Sequence, residues 1–383
     1  MSLLQGIRVL DVTYGLAGPM ATQVLVDFGA EILRVDYPGA TRTPADLVRI
    51  RGRRSIAVDL TQPEGNGLVR RLVDQVDVLI TEPGLDGRDP LRWSYEALAA
   101  ANPGLVWCRV TGYGEEGPRA GALVHDHLIA ARYGVYDQPG FRDGPTFVTG
   151  NIPSMGAALL AVQAIGTALY QRELTGKGQE VSVSLLGGAL SFLPTIISAS
   201  IDPPGGNPPP PVRRPAGAAP YYSIHECADG RYLHFGCLTP QFRRNATRAL
   251  GLEAELEALG FETPAGRENN AEVIEIVAAR MRQEPYEHWA KTFEAADVPY
   301  AEAQWTEDLL DNSQVEHEGL LVQLDDPTVG PMYQMGATAV VEGDVWAAPT
   351  PAPKVGQHTD EVCRDLGLSA PDIDRLRRAG VIA

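Results

Sequence analysis

Apolar positions at the start of the chain fall first at strand spacing and then at helical spacing. Ile7 to Asp11 is a short alternating apolar run, as in a buried strand. Thr13 to Gly18 is a glycine-punctuated turn, and Pro19 stands where a first helical residue belongs. Met20 to Phe28 has helical apolar spacing and stops at Gly29; Glu31 to Val35 is a second strand. Strand, helix and strand in so short a stretch make one βαβ unit, so the two strands should be parallel. The turn at 13–18 then faces the carboxyl end of the first strand, where open α/β sheets bind ligands. Its GLAGP lacks the G-x-G-x-x-G spacing, so a dinucleotide fingerprint is not supported.

The same alternation continues. Ser55 to Leu60, Val76 to Ile80, Leu105 to Thr111 and Glu180 to Leu185 read as strands. Glu64 to Gln75, Tyr95 to Ala101, Gly156 to Glu173 and Gly187 to Ser198 read as helices. Asp202 to Ala219 is a proline-rich linker. Beyond it, Tyr221 to Cys227 and Arg231 to Cys237 flank Ala228-Asp229-Gly230, a hairpin signal, and residues 243–311 are mostly helical. Leu320 to Leu324 and Thr338 to Val341 read as strands, and Thr359 to Leu366 and Ala370 to Ala379 as closing helices. This divides the chain into 1–200, a linker at 201–220, a smaller domain at 221–325 and a return at 326–383.

Charge changes the picture in one place. The 383 residues carry a formal net charge of −17, which argues against nucleic acid or an anionic membrane as partner. Against that background Arg42, Arg49, Arg51, Arg53 and Arg54 fall within fourteen residues, a candidate phosphate-binding cluster. The bland alternative is a solvated loop. Four cysteines without framework spacing point to a reducing compartment. No signal peptide and no apolar run of transmembrane length is read, so the expected location is cytoplasmic. His225, Cys227, His234 and Cys237 lack CxxC spacing and alternate along strands, so packing is expected there and no metal site.

Several long motifs carry a family resemblance. LQGIRVLDVT, AGP and VDFGAEILRVDYPG open the chain. RGRRSIAVDL at 51–60, NPGLVWCRVTGYGEEGP at 102–118, RELTGKGQEVSVSL at 172–185 and GQHTDEVCRDLGLS at 356–369 follow in order. Together they resemble the family III CoA-transferases (CaiB/BaiF), which include formyl-CoA and carnitine CoA-transferases and α-methylacyl-CoA racemase. The resemblance implies an α/β fold: a Rossmann-like large domain built from both chain ends, a smaller α/β domain between, and an interlocked homodimer. It implies coenzyme A or acyl-CoA as substrate, with a free carboxylic acid as possible acceptor. It places Ala17 and Gly18 near the thioester, and Arg42, Arg51, Arg53 and Arg54 near the nucleotide phosphates.

Departures from the family pattern lie at the chemistry. After the strand at 76–80 the family has an Asn-aromatic-Arg-Pro-Gly loop; here it reads Thr81, Glu82, Pro83, Gly84. A glutamate there would repel phosphate, and Arg88 and Arg92 are candidates to compensate. Racemases in the family have histidine directly before aspartate, which matches His125-Asp126, the histidine accepting a proton; Asp126 also reads plainly as a helix cap. Both branches place an aspartate before the TG-Lys/Arg-GQ motif, as nucleophile or as acid-base partner. Here no carboxylate lies between Gly144 and Arg172; Asn151 matches by its preceding glycine and Ser154 by count. Ser154 with His125 as base is a further reading. Thr239 stands where racemases have a glutamate that pairs with the histidine. Three functions follow: an acyl-CoA enzyme of the transferase type, a racemase- or lyase-type enzyme using His125, and a non-catalytic subunit beside a complete homologue.

Overall fold

The computed structural model describes residues 2–82, 91, 93–122, 125–134, 136, 147–192, 220–261, 270–336, 339, 341 and 350–383. The linker at 201–219, Arg88 and Arg92 lie outside them. Of the expected strand at 338–341, residues 338 and 340 lie outside them as well. The described residues of Met1–Val135, Thr149–Ser198 and Gln314–Ala383 form one compact unit, and those of Tyr136–Val148 and Ala199–Ser313 a second. Residues 314–325 therefore go with the first unit, whereas the sequence reading kept them in the smaller domain. The reason is local: Leu321–Asp326 pairs antiparallel with Gly330–Met335, and Gln334 donates to the Leu47 carbonyl at 3.2 Å.

The first unit is built on six parallel strands in the order β3-β2-β1-β4-β5-β6. These are β1 (Arg8–Thr13), β2 (Glu31–Asp36), β3 (Arg54–Ala57), β4 (Val78–Glu82), β5 (Val106–Thr111) and β6 (Glu180–Ser184). β1 and β4 are buried almost along their length, which is why they read as near-continuous apolar runs. The chain runs outward from β1 to β3 and then crosses back to β4. Strand order therefore reverses between β1 and β4, and the crevice of such a sheet opens at their carboxyl ends.

Helix α1 (Ala17–Asp27) follows β1 and ends at Gly29, whose φ of 91° suits glycine. The other helices that matter are α2 (Pro44–Arg49), α3 (Pro63–Val73), α4 (Tyr95–Ala99), α5 (Asp126–Arg132), α6 (Ile152–Thr175) and α7 (Leu185–Ser191). α6 does meet the length and apolarity of a membrane span, contrary to the sequence reading; half of that window is buried within the protein. Its Ala157, Ala161, Ile165 and Ala168 are buried, and a Cβ added at Gly156 would lie 2.4 Å from the Gly188 carbonyl on α7. These are marks of a core helix.

Residues from beyond the second unit seal the outer edge of β3. His358 N–H donates to the Ser55 carbonyl at 2.8 Å, and Ala57 N–H to Thr359 Oγ1 at 3.1 Å. Asp59 N–H donates to the Val381 carbonyl and Ala383 N–H to that of Ala57. Val362, Leu366, Ile373 and Ile382 join the core beneath β1 and β2. The second unit has its own core around Tyr221, Phe235, Trp289 and Phe293, and an antiparallel sheet of Ile224–Glu226, Tyr232–Phe235 and Tyr300–Glu302. The expected hairpin is present, closed by Gly230 at φ 79°.

Candidate active site

A cavity of about 380 Å³ opens at the reversal point of the sheet, walled by the turn after β1, the end of β4, α2, and the starts of α5 and α6. Among the acids that line it is Glu82, which is buried. The last residues of β1 and β4 are register partners, Thr13 with Glu82, so the Glu82 side chain meets the amino end of α1. Leu16, the N-cap of α1, supplies no side-chain acceptor, and the Glu82 carboxylate takes that place: Gly18 N–H donates to Oε2 at 3.0 Å, and Gly15 N–H also donates. Gly15 is a spatial requirement, since a Cβ there would lie 2.1 Å from Glu82 Oε1. Glu82 is 4% exposed, and among the described residues it has no cationic partner. Burial pushes its carboxyl up from 4.5 to about 7 against the two N–H groups, helped by Asp11 and Asp126.

His125 is the N-cap of α5, exposed, its Nδ1 accepting from His127 N–H at 3.3 Å. That leaves Nε2 free of any protein partner among the described residues. Asp126 is buried in the first turn and reaches across to α6, accepting from Ser154 N–H at 2.8 Å and from Ser154 Oγ at 2.5 Å. The expected cap of α5 is therefore His125, and Asp126 lies in the first turn with its carboxylate bonded to the neighbouring helix. The Ser154–His125 pairing is not formed: the Ser154 proton is held by Asp126. Asn151 is the N-cap of α6 without a side-chain capping bond and lines the cavity beside Ser154. The Tyr14 hydroxyl is buried without a hydrogen-bond partner among the described residues and lines the same cavity, so an acceptor on a ligand would satisfy it. Burial raises it well above its ordinary value, which keeps it a donor.

The arginine cluster is largely consumed inside the protein. Arg53 is fully buried, donating to Asp11 at 2.9 Å and to the Pro19 and Arg49 carbonyls; burial lowers it to about 10 while Asp11 opposes. Arg51 is buried on Asp27 and the Met335 carbonyl. Arg54 pairs at the surface with Glu361 and Asp365. Arg42 makes a two-armed contact with Asp36, which Arg34 and Ser55 also hold. Only Arg42 and Arg49 of the five line the cavity. The physical reason is that Asp11, Asp27 and Asp36 are buried or nearly so and each needs a counter-charge. Ala17 and Gly18 do form the first turn of α1, but the Gly18 N–H is already taken by Glu82.

Thr239 belongs to the second unit, where its hydroxyl caps the helix Pro240–Ala249 by accepting from Phe242 N–H at 3.3 Å. His225 Nε2 lies 2.8 Å from Ser223 Oγ, and burial pushes the Cys227 and Cys237 thiols up to about 11.

The model of CoA-transferase family III matches residues 4–359. The chain belongs to that family. It is 28% identical to mouse succinyl-CoA:glutarate CoA-transferase, over 100% of this chain and 91% of the relative. It is equally 28% identical to human α-methylacyl-CoA racemase, over 99% and 97%. A crystal structure of a CaiB/BaiF family protein from Brucella suis superposes with a TM-score of 0.81 at 26% identity, covering 95% of this chain and 99% of that one. Transferases and racemases in family III are thus matched to the same degree, and similarity does not choose between them. Sequence reasoning had treated Glu82 only as a repulsive substitution and had passed over Tyr14 and Arg34. The available signal was position: Glu82 ends the strand that adjoins β1 at the reversal of strand order.

Proposed function

We propose that this chain is an acyl-CoA enzyme of the family III type that moves a proton at the carbon next to the thioester, with His125 as the base. One observation carries the choice: the start of α6 brings Asn151 and Ser154 to the cavity and no carboxylate. An acyl-enzyme anhydride needs a carboxylate nucleophile at that place, and Ser154 gives its proton to Asp126 rather than to a histidine. His125 Nε2 has no protein partner among the described residues; with the ring proton on Nδ1, a form that gives up the bond from His127 N–H, Nε2 accepts a proton from an acidic C–H bond. Tyr14 offers a donor to an acyl oxygen, and Arg42 and Arg49 line the same cavity beside the carboxylates they pair with, Asp36 and Asp46. The cavity suits the acyl group and the adjoining part of the CoA arm.

The test is to incubate the protein in heavy water with a panel of α-branched acyl-CoA thioesters and free carboxylates such as succinate, then read the products by mass spectrometry. Deuterium at the α-carbon that His125→Ala removes for at least one enantiomer supports the reading. New CoA esters without exchange would replace it with transfer. Neither product, with CoA still binding by calorimetry, would replace it with a non-catalytic subunit.

The same reading includes a homodimer. Met155, Leu159, Tyr170 and Leu174 are exposed along one stripe of α6, and a second copy of this chain is the partner the family resemblance favours. The four cysteines are free and buried, which fits a reducing, cytoplasmic setting.

A further inference from the structure

We propose that Glu82 is the second proton-transfer group of this site, exchanging a proton with the α-carbon opposite the action of His125. The inference rests on the proton-transfer reading above and names a residue and a place for it: the end of β4, not the start of α6.

Four observations converge on Glu82. It lines the same cavity as His125, reaching it from a different element. It is buried without a cation among the described residues, although Arg34 and Arg42 line the same cavity and are held by Asp11 and Asp36 instead. Its room is made by Gly15, where any side chain would collide with the carboxylate. The residues at the start of α6, Asn151 and Ser154, have no side-chain group that titrates near neutral pH. The charged and titratable groups around it are Asp11 from β1, Asp126 and His125 from the start of α5, Arg34 from β2 and Tyr14 from the turn. A carboxyl that titrates near 7 gives and takes protons at neutral pH, as acid-base work requires; a nucleophilic carboxylate would be better served by staying ionised.

The step balances without any further reactant. The α C–H bond breaks, its proton passes to the bare Nε2 of neutral His125 in its Nδ1–H form, in which the ring no longer accepts from His127 N–H, and the electron pair spreads onto the thioester oxygen. The protonated carboxyl of Glu82 then gives its proton to the α-carbon, and the C–H bond re-forms. This leaves His125 protonated and Glu82 ionised. Reaction from the opposite enantiomer runs the traffic backwards and resets both groups.

The plain alternative is that Glu82 only caps α1. Glu82→Gln separates the two, because glutamine keeps an oxygen for the Gly18 N–H and cannot carry a proton. Each enantiomer of one α-methyl acyl-CoA is incubated separately in heavy water with wild type, Glu82→Gln, Glu82→Asp and His125→Ala, with melting temperature and CoA binding measured on each. The expected result is a split. Glu82→Gln loses exchange from one enantiomer by roughly 10²–10⁴-fold and keeps it from the other, and inversion stops. His125→Ala shows the opposite preference, and Glu82→Asp recovers part of the lost rate. Equal exchange by wild type and Glu82→Gln, or equal loss from both enantiomers, overturns the assignment while His125 chemistry stands. A hydroxylamine-sensitive acyl group on Glu82 overturns it in favour of a nucleophile. A wild type inert toward both enantiomers removes the proton-transfer reading itself, and Glu82's role with it.

Discussion

At Glu82 the protonation state and the stability of the fold are linked. Its carboxyl titrates near 7 in the folded protein and near 4.5 when exposed. Between those values the unfolded chain is ionised and the folded one still holds the proton. Stability therefore falls as pH rises from about 4.5 to about 7 and is flat on either side, by roughly 3 kcal/mol in all. Glu82→Gln removes that penalty, so its melting temperature should exceed that of wild type at pH 8 and match it near pH 4, as calorimetry across that range would show. An equal difference at both pH values would mean that the change acts on packing and not on ionisation. Asp11 contributes through its partners. It holds Arg34, Arg53, Thr13 and Thr22 in a fully buried network. Asp11→Asn leaves two buried guanidinium groups short of charge and should destabilise by roughly 3–5 kcal/mol in denaturant titration. The sequence showed both arginine and aspartate here but not their partners, because residues 11 and 53 meet only once β1, β2 and the turn before β3 are assembled.

At the scale of elements, the amino end of α1 and the end of β4 act as one piece. Gly15→Ala would push a methyl group into the Glu82 carboxylate. It should cost roughly 1–3 kcal/mol and lower proton exchange. Adding Glu82→Ala should restore most of the stability and none of the exchange, and a double-mutant cycle in urea measures the coupling. The strands of the first unit were legible as apolar runs, since parallel strands are buried on both faces, whereas the short helix α2 was not. Nor was the arginine stretch. Five cations in an acidic chain look the same whether they await a phosphate or answer buried aspartates, and only the tertiary pairing of Asp11, Asp27 and Asp36 separates the two. The absence of an aspartate at 151 and 154 was plain in the sequence, whereas its relation to Glu82 required the strand order.

For the whole molecule, the exposed stripe on α6 bears on assembly. Leu159→Glu with Tyr170→Glu should convert a sedimenting dimer to a monomer while circular dichroism stays unchanged; a wild type that sediments as a monomer at micromolar concentration would sink the proposal. The hairpin at 321–335 carries no sequence signal that assigns it to the first unit.

The seal on β3 has a consequence for how the protein is made. Ser55 is bonded to His358, 303 positions away. A ribosome will have completed all six strands of the parallel sheet, and the second unit after them, before the residues that cover β3 emerge. During that interval the nascent sheet presents a bare edge, the kind of surface on which chains pair wrongly. In refolding from denaturant the last phase to form should be the one that buries Ile382 and Val381 against β3.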